Sequence, residues 1–191
     1  MEPMEIECKF HVVDRQSLKE RILSLGGVFL QEESHCDTYL RHPCRDFRDT
    51  DEALRIRELN GNPFVTYKGP RLPGPVKVRP EIELPMVTDT VESWLRIWQH
   101  LGFEVVARVS KNRSVYKIST HQRELTITMD RVEGVGEYAE IERVVEHASA
   151  IEDAKNDILE LASKLGLGQM EKRSYLSLLL GQSSNAEVRE G

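Results

Sequence analysis

The sequence predicts an α+β fold, an antiparallel sheet or closed barrel with helices packed on one face. Three observations predict it. Three segments share one plan, a Glu-x-Glu strand followed by a periodic helix that stops at Gly. Short alternating runs separated by Gly/Pro/Asn turns fill the chain between them. Helices are too few for β-α-β winding, so the strands must pair mainly through hairpins.

The first unit opens on Glu5-Ile6-Glu7-Cys8-Lys9-Phe10-His11-Val12, then runs from Asp14 through Leu18, Ile22, Leu23 and Leu25 to Gly26-Gly27. Apolar residues at i, i+3, i+4 and i+7 make that run an amphipathic helix, and Gly supplies its left-handed C-cap. Strands are expected over 35–40, 53–58, 63–68 and 76–83, divided by Asn60-Gly61-Asn62, Gly69-Pro70 and Pro73-Gly74-Pro75. The second unit is Glu81-Ile82-Glu83-Leu84, then a helix with Val91, Trp94, Leu95, Trp98 and Leu101, stopped by Gly102. Asp89 and Glu92 have capping-box spacing, and Trp94 and Trp98 read as helix-to-sheet packing. Strands over 103–110, 114–118 and 125–130 lead to the turn Gly134-Val135-Gly136. The third unit is Glu140-Ile141-Glu142-Arg143-Val144-Val145, then a helix with Ala154, Ile158, Leu161 and Leu165, stopped by Gly166; Ser149 and Glu152 again have capping-box spacing. A short helix over 174–180 precedes a polar tail, 182–191, expected to be disordered. No linker divides the chain, so 1–181 reads as one domain.

The 191 residues hold 26 Lys+Arg against 32 Asp+Glu, a formal charge of -6. That balance argues against nucleic acid and against an anionic membrane surface. No apolar stretch approaches the roughly 20 residues needed to span a bilayer. MEPMEIECKF is not a signal peptide, and three cysteines are too few for a disulfide framework, so a cytoplasmic protein is expected.

Residues two apart on a strand share a face. Glu5, Glu7 and Lys9 therefore project together, opposite Ile6, Cys8 and Phe10. Glu81 and Glu83 share a face with Lys77 and Arg79; Glu140 pairs with Glu142, and Arg55 with Arg57. Thr126, Thr128 and Asp130 lie opposite Leu125, Ile127 and Met129. Lys68, Lys111 and Arg113 add further bases. One such pair is ordinarily a solvated strand face with weak cross-strand charge pairs. Three of them, each opening a strand–helix unit, point elsewhere: helices must cover the apolar face, which turns every polar face of a closed barrel toward its lumen. Carboxylates without His or Cys among them suit Mg²⁺ or Mn²⁺. Lys and Arg around them suit a polyphosphate, Arg with forked contacts and Lys as a point charge. Net charge averages over faces, so the acid excess does not exclude a triphosphate.

Other patterns are weaker. Gly134-Val-Gly136-Glu-Tyr-Ala139 fits a dinucleotide fingerprint by letter but leads into a strand, so it reads as a turn. No P-loop exists. His35, Cys36, His42 and Cys44 lack zinc-site spacing and read as strand and loop. Asp49 and Asp51 read as solvated loop residues.

The Glu5-Ile-Glu7-Cys-Lys9 element resembles the Glu-x-Glu-x-Lys signature of the CYTH superfamily, the triphosphate tunnel metalloenzymes. The resemblance continues in order through Asp37-Thr-Tyr39, Arg55-Ile-Arg57, Lys68-Gly69-Pro70, Arg79-Pro-Glu81-Ile-Glu83, Lys111-Asn-Arg113, Asp130, Glu140-Ile-Glu142 and Arg173-Ser174-Tyr175. The Lys-Gly-Pro, Glu-Ile-Glu and Arg-Ser-Tyr elements are most similar to the class IV adenylyl cyclase branch. The resemblance implies an eight-stranded antiparallel tunnel with helices outside, two Mg²⁺ or Mn²⁺ ions and a homodimer. It implies that Glu5, Glu7, Glu83, Asp130, Glu140 and Glu142 are metal ligands or their supports. Arg55, Arg57, Lys68, Lys77, Arg79, Lys111, Arg113 and Arg173 would hold phosphates. Lys9, with Glu5 and Glu7, would stand at the reacting phosphates. One departure is visible: class IV cyclases tend to carry a His-Phe pair shortly before Glu-x-Glu-x-Lys, and none precedes Glu5 here.

The expected activity is metal-dependent conversion of ATP to cAMP and pyrophosphate. The rival is hydrolysis of tripolyphosphate, a nucleoside triphosphate or thiamine triphosphate by the same charges. A non-catalytic polyphosphate binder would need the bases but not three acidic pairs.

Overall fold

The computed structural model describes residues 4–70, 77–120 and 123–187, with the side chains of 77, 78, 120 and 182–187 outside that description. Alternating polarity shapes the first strand, β1 (Met4–His11), which buries Ile6, Cys8 and Phe10. Asp14 caps α1 (Arg15–Ser24), its Oδ1 accepting the Ser17 N–H at 3.0 Å. β2 (Val28–Arg41), β3 (Ala53–Leu59) and β4 (Asn62–Lys68) form an antiparallel meander. β5 (Lys77–Arg79), β6 (Glu81–Pro85) and α2 (Val91–His100) follow. A second meander, β7 (Glu104–Thr120), β8 (Arg123–Val132) and β9 (Gly136–Val145), leads to α3 (Ile151–Lys164) and α4 (Tyr175–Glu187). Gly26, Gly102 and Gly166, the expected stops of three helices, take φ values of 86°, 87° and 65°, where other residues are strained.

Among the described strands the hydrogen-bonded order is β5-β1-β9-β8-β7-β2-β3-β4-β6. The two ends of that order are one length of chain interrupted only at Pro80. Its first half pairs with β1, setting Arg79 opposite Glu5, and its second half pairs with β4, setting Glu81 opposite Lys68. Proline has no N–H for a ladder, so the strand changes partners there. Counted as one strand, it brings the total to eight and joins the two edges of the sheet. Gly69 sits against this junction: its N–H donates to the Pro80 carbonyl at 3.0 Å, and a Cβ would stand 2.7 Å from Pro80 Cγ. Gly69→Ala is expected to cost about 1–3 kcal/mol through this overlap, read as a lower urea midpoint. An unchanged midpoint would show that the junction absorbs the methyl group freely.

The outward faces of β1, β9, β8 and β7 are apolar. They pack Ile6, Phe10, Ile141, Ile127, Met129, Leu125 and Tyr116 against Leu18 and Ile22 of α1 and Ala154, Ile158 and Leu161 of α3. Burying each large side chain contributes on the order of 1.5–3 kcal/mol, which commits the polar face to the inside.

Several local expectations change. The two runs expected over 103–110 and 114–118 are one strand, because Lys111 and Arg113 point into the polar lumen and do not interrupt the ladder. β2 begins at Val28, well before 35, because its first half pairs with the far half of β7. Asp89 and Ser149 lie in 3₁₀ turns that precede α2 and α3, so neither side chain caps its helix. Trp94 and Trp98 do not pack α2 onto the sheet. No residue of α2 is buried, Trp94 is 43% exposed, and the two rings lean on each other at 5.9 Å. The last helix runs past 180 to Glu187. Among the described residues no helix is long and apolar enough to cross a membrane.

Candidate active site

Strand register sorts the inward side chains into rows. Glu7 faces Glu142 across the β1/β9 ladder, and Lys9 faces Glu140. Glu142 faces Thr126 and Glu140 faces Thr128 across β9/β8. Around the wall, Arg113 faces Asp130, Asp37 faces Arg57, Tyr39 faces Arg55, and Thr66 faces Glu83. These rows enclose a cavity of about 1120 Å³. Glu5, Glu7, Lys9, Arg55, Arg57, Lys68, Arg79, Glu83, Lys111, Arg113, Glu140, Glu142 and Arg173 all line it. The Lys77 side chain lies outside the described residues, although its backbone stands opposite Glu7.

Two buried carboxylates organise the bases. Asp37 accepts Arg57 Nε on Oδ1 at 2.8 Å, and Arg57 Nη2 and Arg55 Nη1 on Oδ2, each at 3.0 Å. Arg55 Nη1 also donates to the Tyr39 hydroxyl at 3.3 Å. Asp130, fully buried, accepts Arg113 Nε on Oδ1 at 2.7 Å. Its Oδ2 accepts Arg113 Nη2 at 2.7 Å, Lys111 Nζ at 3.0 Å and the Tyr175 hydroxyl at 2.8 Å. With four donors and a place behind the cavity wall, Asp130 acts as a support for the bases. Burying guanidinium and ammonium groups without such partners would cost several kcal/mol each. The cavity can therefore present Arg55, Arg57, Lys111 and Arg113 in fixed positions before any ligand arrives, and the buried Arg55 Nε, which has no partner among the described residues, is one donor ready for an oxygen.

Asp37 titrates accordingly. Burial opposes its charge, but Arg55 and then Arg57 and Lys111 outweigh it and hold the carboxyl well below its ordinary value of 3.8. A depressed carboxyl pKa adds stability above the unfolded value and loses it as pH falls through the folded one. Asp37→Asn is therefore expected to cost about 2 kcal/mol at neutral pH and to flatten the acid side of the stability profile below about pH 4. Urea midpoints measured from pH 6 to pH 2 read both effects. An equally steep acid limb in the variant would assign the slope to other carboxylates.

Carboxylates gather on the opposite wall. Lys68 Nζ reaches Glu5 Oε2 at 3.3 Å and also pairs with Glu81, and Thr66 Oγ1 donates to Glu83 Oε2 at 2.9 Å. Glu140 accepts Arg113 Nη2 and lies 3.8 Å from Lys9 Nζ. Burial, then the charges of Glu5, Glu7 and Glu140, push the Glu142 carboxyl up to about 8 against the pull of Arg113. Like charges set directly opposite in a ladder are destabilising, and Glu7 and Glu142 are so placed. Their all-oxygen chemistry fits a hard divalent cation. As the side chains stand, no three His, Cys, Asp or Glu groups among the described residues converge closely enough to enclose an ion.

Lys9 is held between the walls. Its Nζ donates to the Arg173 carbonyl at 2.8 Å and lies 3.9 Å from the centroid of the Tyr175 ring. Arg173 itself is exposed and paired with Glu171 at the cavity mouth. Asp37, Thr66 and Tyr175 are the site residues to which sequence reasoning assigned no individual role, and Glu81 entered only as a member of an acidic pair. Inward alternation with Tyr39 and with Glu83 is the signal that carries Asp37 and Glu81.

The sequence pattern of the CYTH domain family matches residues 3–175. A Methanocaldococcus jannaschii protein, named provisionally as an adenylate cyclase, is 33% identical over 177 residues, covering 92% of this chain and 98% of its own. Adenylate cyclase CyaB of Aeromonas hydrophila is 27% identical over 177 residues, covering 91% and 87%. Among solved structures, the PH1819 protein of Pyrococcus horikoshii has a TM-score of 0.83 at 38% identity over 93% of this chain and 99% of its own. A Hippeastrum protein described as having dominant triphosphatase activity has a TM-score of 0.68 over 94% of this chain and 96% of its own; at 17% identity that is a likeness of fold alone. A match over nearly the whole described length, on a barrel whose inward rows carry the expected charges, places this chain in the CYTH domain family.

Proposed function

We propose that this protein is a divalent-metal-dependent enzyme acting on a triphosphate, and that its reaction is conversion of ATP to cAMP and pyrophosphate. The observation that carries the reading is the sorting of charge inside one cavity. Arg55, Arg57, Lys111 and Arg113 are fixed by buried counterions, and Glu7 and Glu142 face each other on the other side. A pure anion binder gains nothing from the carboxylate side. The names of the Methanocaldococcus and Aeromonas relatives favour cyclisation.

In this reading the arginines and Lys111 bind the phosphate oxygens and stabilise the negative charge of the departing pyrophosphate. Glu5, Glu7, Glu83, Glu140 and Glu142 would hold Mg²⁺ or Mn²⁺, which when bound supplies charge neutralisation and lowers the pKa of a coordinated hydroxyl. Lys9, between the two walls, meets the reacting phosphates. The ribose 3′-oxygen forms a bond to the α-phosphorus as the bond from that phosphorus to the bridging oxygen breaks, and the 3′ proton leaves to solvent. The same charges serve water attacking the terminal phosphorus, which gives ADP and phosphate.

The test is the product from ATP with Mg²⁺ or Mn²⁺, run beside tripolyphosphate and thiamine triphosphate. cAMP with pyrophosphate supports the proposal. ADP with phosphate replaces cyclisation by hydrolysis, and no turnover of any of the three sinks both.

A further inference from the structure

Tyr175 opens α4 yet is buried, inside the barrel wall. Its hydroxyl donates to Asp130 Oδ2 at 2.8 Å. Its ring lies under two ammonium groups, with Lys9 Nζ 3.9 Å and Lys111 Nζ 5.2 Å from the centroid. Two residues earlier, the Arg173 carbonyl accepts from Lys9 Nζ at 2.8 Å. The segment entering α4 therefore touches the Lys9 ammonium twice, across 164 residues of chain. A lysine stem is flexible and its charge is a point, so its aim must come from its surroundings. The ring face attracts the ammonium, the carbonyl takes one of its protons, and Glu140 at 3.8 Å adds a third restraint.

We propose that Tyr175 is a positioning residue: its ring and hydroxyl hold the Lys9 ammonium and the Asp130 counterion in the arrangement in which Lys9 meets the reacting phosphates. The inference rests on the reading of the cavity as a triphosphate site. A residue that only fills space would be replaced well by any apolar side chain of similar reach. A residue that aims Lys9 needs an aromatic face, and it acts on the reacting arrangement more than on initial binding.

The test is steady-state turnover of ATP with Mg²⁺ by the full chain and by the Tyr175→Leu, Tyr175→Met, Tyr175→Phe and Lys9→Met variants, with Tyr175→Leu/Lys9→Met as the double variant. Tyr175→Leu is expected to lower kcat about 30-fold with KM within about threefold of the parent, and Tyr175→Phe to recover kcat to within about fivefold. Tyr175→Met stands in if the leucine variant fails to fold. The double variant is expected to stay within about fivefold of Lys9→Met alone, because beyond the shared Lys9 contact it loses only the hydroxyl bond to Asp130. Equal kcat for the parent and both apolar variants, a loss confined to KM, or losses that multiply in the double variant would overturn the role of Tyr175 and leave the triphosphate reading standing. A parent enzyme that turns over no triphosphate overturns that reading, and this inference with it.

Discussion

Asp130→Asn is expected to destabilise the protein by about 3–5 kcal/mol, the largest loss from any single inward substitution. Its carboxylate is fully buried and accepts four hydrogen bonds, from Arg113 twice, from Lys111 and from Tyr175. Burial raises the cost of its charge, but Lys111 and then Arg113 outweigh that cost and lower its pKa, so it is ionised at neutral pH. An amide of the same shape offers one acceptor and turns an NH₂ toward donors that have nowhere else to go. Two buried cations are then left short of their counterion. Urea denaturation at pH 7 reads the loss directly. A change below about 1 kcal/mol would mean that Glu140, which also takes Arg113, replaces Asp130 unaided.

The double substitution Glu7→Gln/Glu142→Gln is expected to lower turnover by at least about 100-fold while raising the melting temperature of the metal-free protein. The two effects have one cause. Burial and the charges of Glu5, Glu7 and Glu140 all disfavour the ionised form of Glu142, which faces Glu7 across a ladder, so an amide at both positions removes that unfavourable ionisation. The same neutralisation removes the ligands that a divalent cation needs. Opposite signs for stability and activity are what a site that stores unfavourable charge for a ligand should give. The checks are kcat with Mg²⁺ and the melting temperature in chelator, on the same preparation. Retained turnover would exclude the pair from the reaction, and a lowered melting temperature would show that the carboxylates serve the fold.

Much of this arrangement is legible from period-two alternation alone. Ile6, Cys8 and Phe10 declare one face of β1 and Glu5, Glu7 and Lys9 the other, and the same arithmetic holds at Arg55/Arg57 and Glu140/Glu142. Helix stops at Gly26, Gly102 and Gly166 are equally local, because a left-handed φ is a property of one residue. Where sequence reasoning fell short, the missing information was tertiary. The Lys111-Asn112-Arg113 run looks like an interruption between strands until the lumen is known to accept its charges. Trp94 and Trp98 have the spacing of a packing face, but spacing cannot say what lies beside a helix, and among the described residues nothing covers them fully.

By itself, then, the sequence determines which side chains share a face, which face is apolar, and hence that the charges turn inward once helices cover the outside. Those are consequences of backbone geometry and of the cost of leaving apolar surface in water. Only the tertiary structure decides which charges meet. Pro80 lets one strand serve both edges, so Glu5 and Arg79 stand beside Lys68 and Glu81. Asp37 and Asp130 become the counterions that hold four bases ready, and Tyr175, far along the chain, comes to lie under Lys9. Alternation repeats every two residues and carries no memory of register between strands. Register and closure depend on contacts between distant segments, and the chemistry of the cavity is assembled there.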